Sequence, residues 1–294
     1  MTTGKATAAG RLRQLLAMDK PVLVAGAHDG LSARLVERAG FAAIWASGFE
    51  ISAVHAVPDA NILTMSDNLV SIRMMISASD LPIIADCDSG YGNAVNVIRT
   101  VEEYERAGVA GIVLEDNVFP KRCSFYDGVQ RLLTPIEEHA GKIRAAKAAQ
   151  RSPDFFVAAR TEALILGLGL EEALRRAEAY HAAGADAVMI HSKAKTPDEV
   201  LAAGRAWRGK CPLIAVPTTY SRVSAAALYQ AGYKMIIFAN IAVRAAAKAM
   251  AAALAKARQA EQLAAVESDI ATLAEIYDLV GVASLADQER KFVV

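Results

Sequence analysis

Short apolar runs alternate with amphipathic segments along most of the chain. Eight runs have the length and composition of buried strands: 22–27, 42–47, 82–86, 111–115, 155–160, 187–191, 213–217 and 235–240. The segments between them are 31–39, 68–78, 96–107, 136–150, 170–183, 197–207 and 224–231. In 170–183 the apolar positions recur at i, i+3 and i+4, which predicts a helix with one buried face. The pattern therefore predicts eight strand–helix units.

The pair Ala-Gly recurs where a predicted helix gives way to a strand, at Gly40, Gly108, Gly184 and Gly232. Glycine just past a helix end favours a left-handed cap. Eight such units predict an α/β fold, a (β/α)8 TIM barrel, and the chain length is in range. An open doubly wound sheet is the alternative. The lack of a glycine-rich dinucleotide motif after the first strand disfavours it.

The chain continues well beyond the eighth predicted strand. We expect helices over 243–263 and 266–279, followed by a tail to residue 294. This is more than one barrel helix needs, so we interpret 1–294 as one barrel domain with 241–294 as a C-terminal helical extension. The pattern fits a pair of surface helices and an arm that packs on another subunit equally well.

Composition and charge exclude several classes of function. Hydrophobic residues make up 54% of 294 residues, and 32 Lys+Arg balance 32 Asp+Glu. A net charge of zero gives no basic surface for nucleic acid, and no apolar run reaches the roughly 18–20 residues of a membrane helix. The first ten residues lack an apolar stretch, so we expect no signal peptide. Three scattered cysteines do not form a disulfide framework. We expect a cytoplasmic protein.

Acidic residues follow two neighbouring predicted strands. Asp86 and Asp88 come at the end of the third strand, spaced so that both would face one side while Cys87 faces away. Glu115 ends the fourth strand in the same manner. The carboxyl ends of barrel strands meet at one rim, where TIM-barrel active sites lie. Three converging carboxylates predict a site for a hard cation such as Mg2+.

Other strand ends carry groups that bind anions. Arg160 would either pair with Glu162 or Glu115, or clamp a carboxylate or phosphonate. His191 fits a structural role and a site role equally. Ser47-Gly48 reads as a tight turn, or as a hydroxyl and backbone N–H groups that bind a substrate carboxylate.

The segment 117–134 is long for a loop of a compact domain and predicts a lid. It contains Lys121, Arg122 and Cys123. Cys123 would be an incidental thiol, or a reactive one whose pKa the two neighbouring cations lower.

Several of these motifs occur together in a known superfamily. They are Trp45-Ala46-Ser47-Gly48, Asp86-Cys87-Asp88-Ser89-Gly90-Tyr91-Gly92-Asn93, Glu115-Asp116, Phe119-Pro120-Lys121 and Ala159-Arg160-Thr161-Glu162-Ala163. Over nearly its whole length the chain resembles the phosphoenolpyruvate mutase/isocitrate lyase superfamily. The resemblance implies a (β/α)8 barrel, Mg2+ (or Mn2+ or Co2+) and a 2-oxoacid enolate intermediate. It also implies a homotetramer, a dimer of dimers that exchange C-terminal helices, which favours the arm interpretation.

Within the superfamily the chain is most similar to the phosphonate branch. His191-Ser192-Lys193 and Val216-Pro217-Thr218-Thr219-Tyr220 resemble phosphoenolpyruvate mutases and phosphonopyruvate hydrolases, and the run 56–63 resembles the hydrolases. The lid differs from both. Lys121-Arg122-Cys123 resembles the lid of 2-methylisocitrate lyases, in which the cysteine is an acid or base.

The resemblance implies Mg2+-dependent hydrolysis of 3-phosphonopyruvate to pyruvate and phosphate. The implied metal ligands are Asp86, Asp88 and Glu115. The implied catalytic residues are Asp59, Lys121, Cys123, Ser124, Arg160 and His191. The implied substrate-binding residues are Trp45, Ser47, Gly48, Phe49 and Asn240. The alternatives are a phosphoenolpyruvate mutase, a C–C lyase or decarboxylase that uses Cys123, and a non-catalytic barrel that binds a metabolite.

Overall fold

Eight parallel strands close into a barrel in chain order in the computed structural model, which describes residues 6–293. The strands are β1 (Val22–Ala27), β2 (Ala43–Ala46), β3 (Ile83–Asp86), β4 (Gly111–Glu115), β5 (Phe156–Thr161), β6 (Ala187–Ile190), β7 (Leu213–Ala215) and β8 (Tyr233–Phe238). β8 pairs with β1, which closes the sheet. The predicted (β/α)8 barrel is confirmed, and the open sheet is excluded.

Helices separate the strands. They are α1 (Ala8–Ala17), α2 (Gly30–Arg38), α3 (Gly48–Val54), α4 (Met65–Ala78), α5 (Ala94–Ala107), α6 (Ile136–Ala149), α7 (Gly169–Ala182), α8 (Asp198–Ala206) and α9 (Ala225–Gln230). The left-handed glycines predicted at the Ala-Gly pairs are present. Gly108 caps α5 at φ +92°, and the glycines of the other three Ala-Gly pairs also have positive φ.

The strands bury both of their faces, as parallel strands in a barrel must. Inward residues such as Trp45, Ile84 and Val113 fill the barrel interior. Outward residues such as Ala85 and Cys87 pack in a second cluster with α4 and α5 side chains. Cys87 therefore faces away from the interior, as predicted, and Asp86 is left at the inner rim of the barrel.

The chain divides into two compact units, Met1–Ile241 and Ala242–Val294. The second consists of most of α10 (Ile241–Ala260) together with α11 (Leu273–Val280) and α12 (Val282–Phe292). The predicted helix over 266–279 is present only from residue 273 onward, as α11, because short 3-10 turns at Leu263–Ala265 and Glu267–Asp269 precede it. Thr272 then starts α11 with a capping box to Glu275. Among the described residues, no helix is long and apolar enough to cross a membrane.

Three helices were not predicted: α1, α3 and α12, the last of which lies in the segment expected to be a tail. The side chain of Thr7 caps α1, accepting a hydrogen bond from the backbone N–H of Gly10. α3 has only two turns and begins at Gly48, with Ser47 as its N-cap, where a tight turn was one of the two interpretations. A helix that starts here directs its first N–H groups toward the carboxyl rim of the barrel.

Candidate active site

A small cavity of about 50 Å3 opens at the carboxyl ends of the strands. The lining residues are Trp45, Ser47, Phe49, Asp59, Asp86, Lys121, Cys123, Ser124, Phe125, Arg160, His191, Val216, Thr218, Ala239 and Asn240. Of the predicted site residues, only Gly48, Asp88 and Glu115 are not in this lining, and all three lie near residues that are. The structure thus gathers residues from seven strand ends or the loops after them around one space.

Asp86 and Asp88 converge, but not for the reason predicted. β3 ends at Asp86, and Asp88 has a left-handed backbone at φ +51°. Its N–H donates to Asp86 Oδ1 at 3.2 Å. A Cβ placed on Gly48 would lie 3.3 Å from Asp88 Oδ1 and 3.6 Å from Asp86 Oδ2. A turn therefore brings the second carboxylate back beside the first, and the absence of a side chain at Gly48 leaves room for both.

Lys121 of the lid neutralises one side of this acidic group. Its Nζ lies 2.7 Å from Asp88 Oδ1 and 2.9 Å from Asp59 Oδ1. Asn61 adds a second link, since it donates to Asp88 Oδ2 at 2.6 Å and accepts from the Lys121 N–H at 2.6 Å. Burial lowers the pKa of Lys121, but Asp88 and Asp59 outweigh that effect and raise it well above its usual value. Lys121 therefore stays charged and joins the lid to the site.

Arg160 forms ion pairs with both of its predicted partners, Glu162 and Glu115. Its Nε donates to Glu162 Oε1 at 2.7 Å, and its Nη2 lies 3.3 Å from Glu115 Oε2. The same Nη2 donates to Ser124 Oγ at 2.8 Å and lies 2.9 Å from His191 Nδ1. Burial alone would raise the pKa of Glu162, yet Arg160 and His191 hold it below its usual range. The ion pair is thus present, and Arg160 also lines the cavity, so the pairing does not remove it from the site.

The carboxylates are suited to a hard divalent cation. Burial raises the pKa of Asp88 to about 8 and that of Glu115 to about 7, against opposing effects of Lys121 and Arg160. Their ionised forms therefore lack stabilisation that a bound cation supplies. Within residues 6–293 no three acidic, histidine or cysteine side chains already form a metal cluster. Lys121 and Arg160 contact two of the three carboxylates instead.

The long loop after β4 folds over the cavity. Ser124 donates a short hydrogen bond to Glu162, and the Phe125 ring packs edge-on against His191 with centroids 5.6 Å apart. Tyr126 Oη accepts from the Asp59 N–H at 2.9 Å. The ends of the loop are joined by a bridge between Asn117 and Leu133. The predicted lid over 117–134 is therefore a structured flap that covers the site.

Cys123 differs from its predicted chemistry. The expected net lowering of its pKa is wrong: Lys121 does lower the pKa of the thiol, but burial and then Asp59 outweigh it and raise the pKa to about 11. Lys121 points to the carboxylates, and Arg122 donates to the backbone carbonyls of Pro120 and Lys121. Cys123 therefore lines the cavity as a protonated thiol, able to donate a proton rather than to attack as a thiolate.

Alkylation of Cys123 should be slow at pH 8 and accelerate with pH up to about 11. Only the thiolate reacts, and a raised pKa shifts the thiolate population to higher pH. Iodoacetamide labelling at several pH values, followed by peptide mass spectrometry, measures this rate at each cysteine. A Cys123→Ser protein identifies the signal. A rate for Cys123 that levels off near pH 8 would contradict the buried, protonated state.

Some residues of the site were not predicted. Glu162 was considered only as a partner of Arg160, and no role was given to Glu50 or Asn61. For Glu50 a signal existed: Ser47-Gly48-Phe49-Glu50 has the spacing of a capping box, and the Glu50 N–H donates to Ser47 Oγ at 3.3 Å. Asn61 gave no signal, because its role depends on a left-handed backbone at φ +54°.

The barrel, its acidic rim and the loop that supplies Lys121 have the arrangement of a TIM-barrel enzyme active site. A sequence profile of the family described as phosphoenolpyruvate phosphomutase matches residues 12–258. The chain therefore belongs to the phosphoenolpyruvate mutase family, within the phosphoenolpyruvate mutase/isocitrate lyase superfamily.

Its relatives include both chemistries of the phosphonate branch. The chain is 46% identical over 285 residues to phosphonopyruvate hydrolase of Variovorax sp. (strain Pal2), covering 96% of this chain and 98% of that protein. The crystal structure of phosphoenolpyruvate phosphomutase from Streptomyces platensis subsp. rosaceus matches with a TM-score of 0.95 at 48% identity, covering 97% of this chain and 99% of that one. A phosphonopyruvate hydrolase in complex with oxalate and Mg2+ matches with a TM-score of 0.92 at 44% identity, covering 98% and 100%.

Proposed function

We propose that the protein hydrolyses 3-phosphonopyruvate to pyruvate and phosphate. The observation that carries the proposal is the cluster of Arg160, His191 and Ser124 at one end of the cavity, with Asp86 in the same lining. Arg160, His191 and Ser124 would bind the phosphonyl group of the substrate. Asp86 belongs to the acidic site, where a metal would bind the 2-oxoacid part. The 46% identity to the phosphonopyruvate hydrolase of Variovorax sp. supports hydrolysis over the other reactions of the superfamily.

Asp86, Asp88 and Glu115 would hold Mg2+, or Mn2+ or Co2+ in its place. The ion would supply charge stabilisation for the oxygen atoms of a 2-oxoacid. Lys121 and Arg160 orient Asp88 and Glu115 and partly offset the effect of burial on their pKa values, and the bound cation would supply the remaining stabilisation of the ionised forms. Lys121 contacts Asp59 as well, so the lid contributes its cation directly to the acidic site.

The remaining residues bind and orient. Ser47, Gly48 and Phe49 start α3, so their hydroxyl and backbone N–H groups suit the substrate carboxylate. Trp45 and Asn240 complete the walls. Arg160 and His191 would stabilise the phosphonyl oxygens while water forms the new P–O bond and the C–P electron pair passes to the enolate. One proton of the water finally appears on the pyruvate methyl group, and the products balance.

Phosphorus NMR of the purified protein with 3-phosphonopyruvate and Mg2+ tests the proposal directly. Inorganic phosphate, with equimolar pyruvate, is the expected result. A phosphoenolpyruvate signal would instead identify a mutase, in which the enolate oxygen recaptures the phosphoryl group. Unchanged phosphonopyruvate would exclude both reactions.

A C–C lyase is the second candidate, and one observation favours it. Cys123 lines the cavity with its thiol protonated at neutral pH, as a proton donor to an enolate requires. Arg160 would then bind a second carboxylate in place of the phosphonyl group. Release of pyruvate or glyoxylate from malate-like or citrate-like substrates would identify this activity.

Replacing Cys123 with serine separates the two candidates. For a hydrolase, kcat for phosphate release should fall by no more than about threefold, because no proton has to come from this side chain. For a lyase, loss of the acid should lower kcat by about a hundredfold or more. Single-turnover assays on both substrate classes measure the difference. A hundredfold loss of phosphate release would contradict the hydrolase mechanism proposed above.

The second unit supports the proposed homotetramer, a dimer of dimers that exchange C-terminal helices. Leu254, Leu273 and Phe292 on α10, α11 and α12 are all about 70% exposed in the single chain. Apolar side chains exposed at this density along three helices are typical of an interface. Light scattering after size exclusion should give four times the mass of 31.2 kDa. A monomeric mass would contradict this assembly.

Three free cysteines are consistent with the proposed cytoplasmic location.

A further inference from the structure

Glu50 of α3 is the centre of a buried group beside the cavity that has no role in the mechanism above. Its side chain is fully buried, and both carboxylate oxygens are engaged. Oε1 accepts a hydrogen bond from the Asn240 N–H at 2.8 Å, and Oε2 lies 3.0 Å from His28 Nδ1. A Cβ on Gly26 would overlap Oε1, so glycine at this position leaves space for the carboxylate. Glu50 therefore connects the ends of β1 and β8.

Asn240 has an unusual backbone that this contact holds. Its φ of +67° is left-handed, a conformation that non-glycine residues adopt only where the surroundings impose it. Asn240 is 9% exposed and lines the cavity, yet its side-chain Oδ1 has no hydrogen-bond partner among the described residues. Buried amide groups are rarely left unpaired. An unpaired one in a cavity wall is available to a ligand.

Glu50 fixes a second wall of the same cavity through its backbone. Its N–H donates to Ser47 Oγ at 3.3 Å, and Ser47 lines the cavity. The side chain and the backbone of one residue thus set the positions of Asn240 and Ser47. Neither Glu50 nor His28 lines the cavity itself, so their influence on a ligand passes through these two residues.

We infer that Glu50 is a positioning residue, which holds Asn240 so that its amide Nδ2, the donor end of the group, donates a hydrogen bond to a small carboxylate anion bound in the cavity. The inference rests on the ligand site proposed above. It is independent of whether water or an enolate oxygen receives a phosphoryl group. Oxalate is a suitable probe, because it is a minimal planar dicarboxylate and is bound with Mg2+ by the related phosphonopyruvate hydrolase.

A double-mutant cycle in oxalate binding tests the inference. Titration calorimetry with oxalate and saturating Mg2+ would compare the wild type, Asn240→Ala, Glu50→Ala and the double variant. Each single replacement should weaken binding by about tenfold or more, the typical effect of losing a hydrogen bond to a charged group. If Glu50 acts through Asn240, the double variant should bind within about twofold of the weaker single variant. Losses that multiply in the double variant would overturn the inference.

Two further variants separate positioning from stability. Glu50→Gln keeps an acceptor for the Asn240 N–H and should bind oxalate within about threefold of the wild type; a loss as large as that of Glu50→Ala would overturn the inference. Asp186→Ala removes another largely buried carboxylate, which accepts from the Val157 N–H at 2.8 Å and pairs with Arg13 at 3.0 Å. It should lower the melting temperature and leave oxalate affinity unchanged. An equal loss of affinity in this variant would also overturn it.

If Glu50→Ala does not fold, Glu50→Asp replaces it in the cycle. This variant keeps a carboxylate near His28 but withdraws it from Asn240, and the same coupling is expected. A wild type that does not bind oxalate with Mg2+ would overturn the inference. A wild type that binds oxalate with the expected coupling, but releases no phosphate from phosphonopyruvate, would overturn the hydrolase proposal alone.

Discussion

Replacing Arg160 with lysine is expected to lower kcat/KM for phosphonopyruvate by about a thousandfold, the upper part of the range seen when an anion-stabilising donor is removed. Arg160 makes four contacts, one from Nε to Glu162 and three from Nη2 to Glu115, Ser124 and His191. An ammonium group cannot reproduce that fork of donors. The lid would also lose its anchor at Ser124, so both binding and chemistry should suffer. Steady-state phosphate release measures the effect.

Arg144→Lys is a suitable control for this experiment. Arg144 lies on α6 with a largely exposed side chain and pairs with Glu137 at 3.6 Å. Exposed pairs of this kind contribute little, so activity should not change. A loss of less than about tenfold for Arg160→Lys would mean that Arg160 serves the structure of the rim rather than the substrate.

Replacing Asp86 with asparagine is the second change for which we expect a large effect. Asp86 is the one proposed metal ligand that lines the cavity and has no lysine or arginine contact among those described. Its loss should weaken divalent-cation binding by about a hundredfold or more, above the effect of changing an outer partner of a metal ligand. Activity should fall in parallel. Electron paramagnetic resonance with Mn2+ measures binding without relying on turnover.

The exposed Asp198→Asn provides the matched control, because Asp198 contacts only the Thr196 hydroxyl among the described hydrogen bonds. Its Mn2+ affinity and activity should equal those of the wild type. Unchanged Mn2+ affinity in Asp86→Asn would place the cation elsewhere and remove the basis of the proposed acidic site.

The sequence was sufficient to predict the barrel and most of the cavity, because both follow from repeating patterns. Strand ends in a parallel barrel meet at one rim, so a residue such as Arg160 or His191 could be placed by locating the end of its strand. The lid was predictable from loop length alone. The resemblance to a superfamily added Asp59 and Ser124, which lie in loops where no strand register applies.

What the sequence did not reveal depends on backbone turns and on burial. Asp88 was placed on a strand, whereas it converges on Asp86 through a left-handed turn. A lowered pKa was one of two alternatives for Cys123, from its cationic neighbours in sequence, whereas burial of the thiol outweighs the effect of Lys121 and raises the pKa. Charge effects depend on direction and desolvation, and neither can be read from adjacency along the chain.

The proposed site takes some of its residues from the barrel strands and others from the lid over 117–134, and this separation has a consequence for how new reactions arise. The groups proposed to stabilise an enolate lie on strands or in short turns after them, whereas Cys123, Ser124 and Phe125 all belong to one surface loop. The ends of that loop are already bridged, at Asn117 and Leu133. A short exchange of sequence between these two points could change which bond is cleaved and leave the rest of the protein intact. Variation confined to this loop would therefore alter the residues beside Arg160 and His191 without altering the strands that hold them.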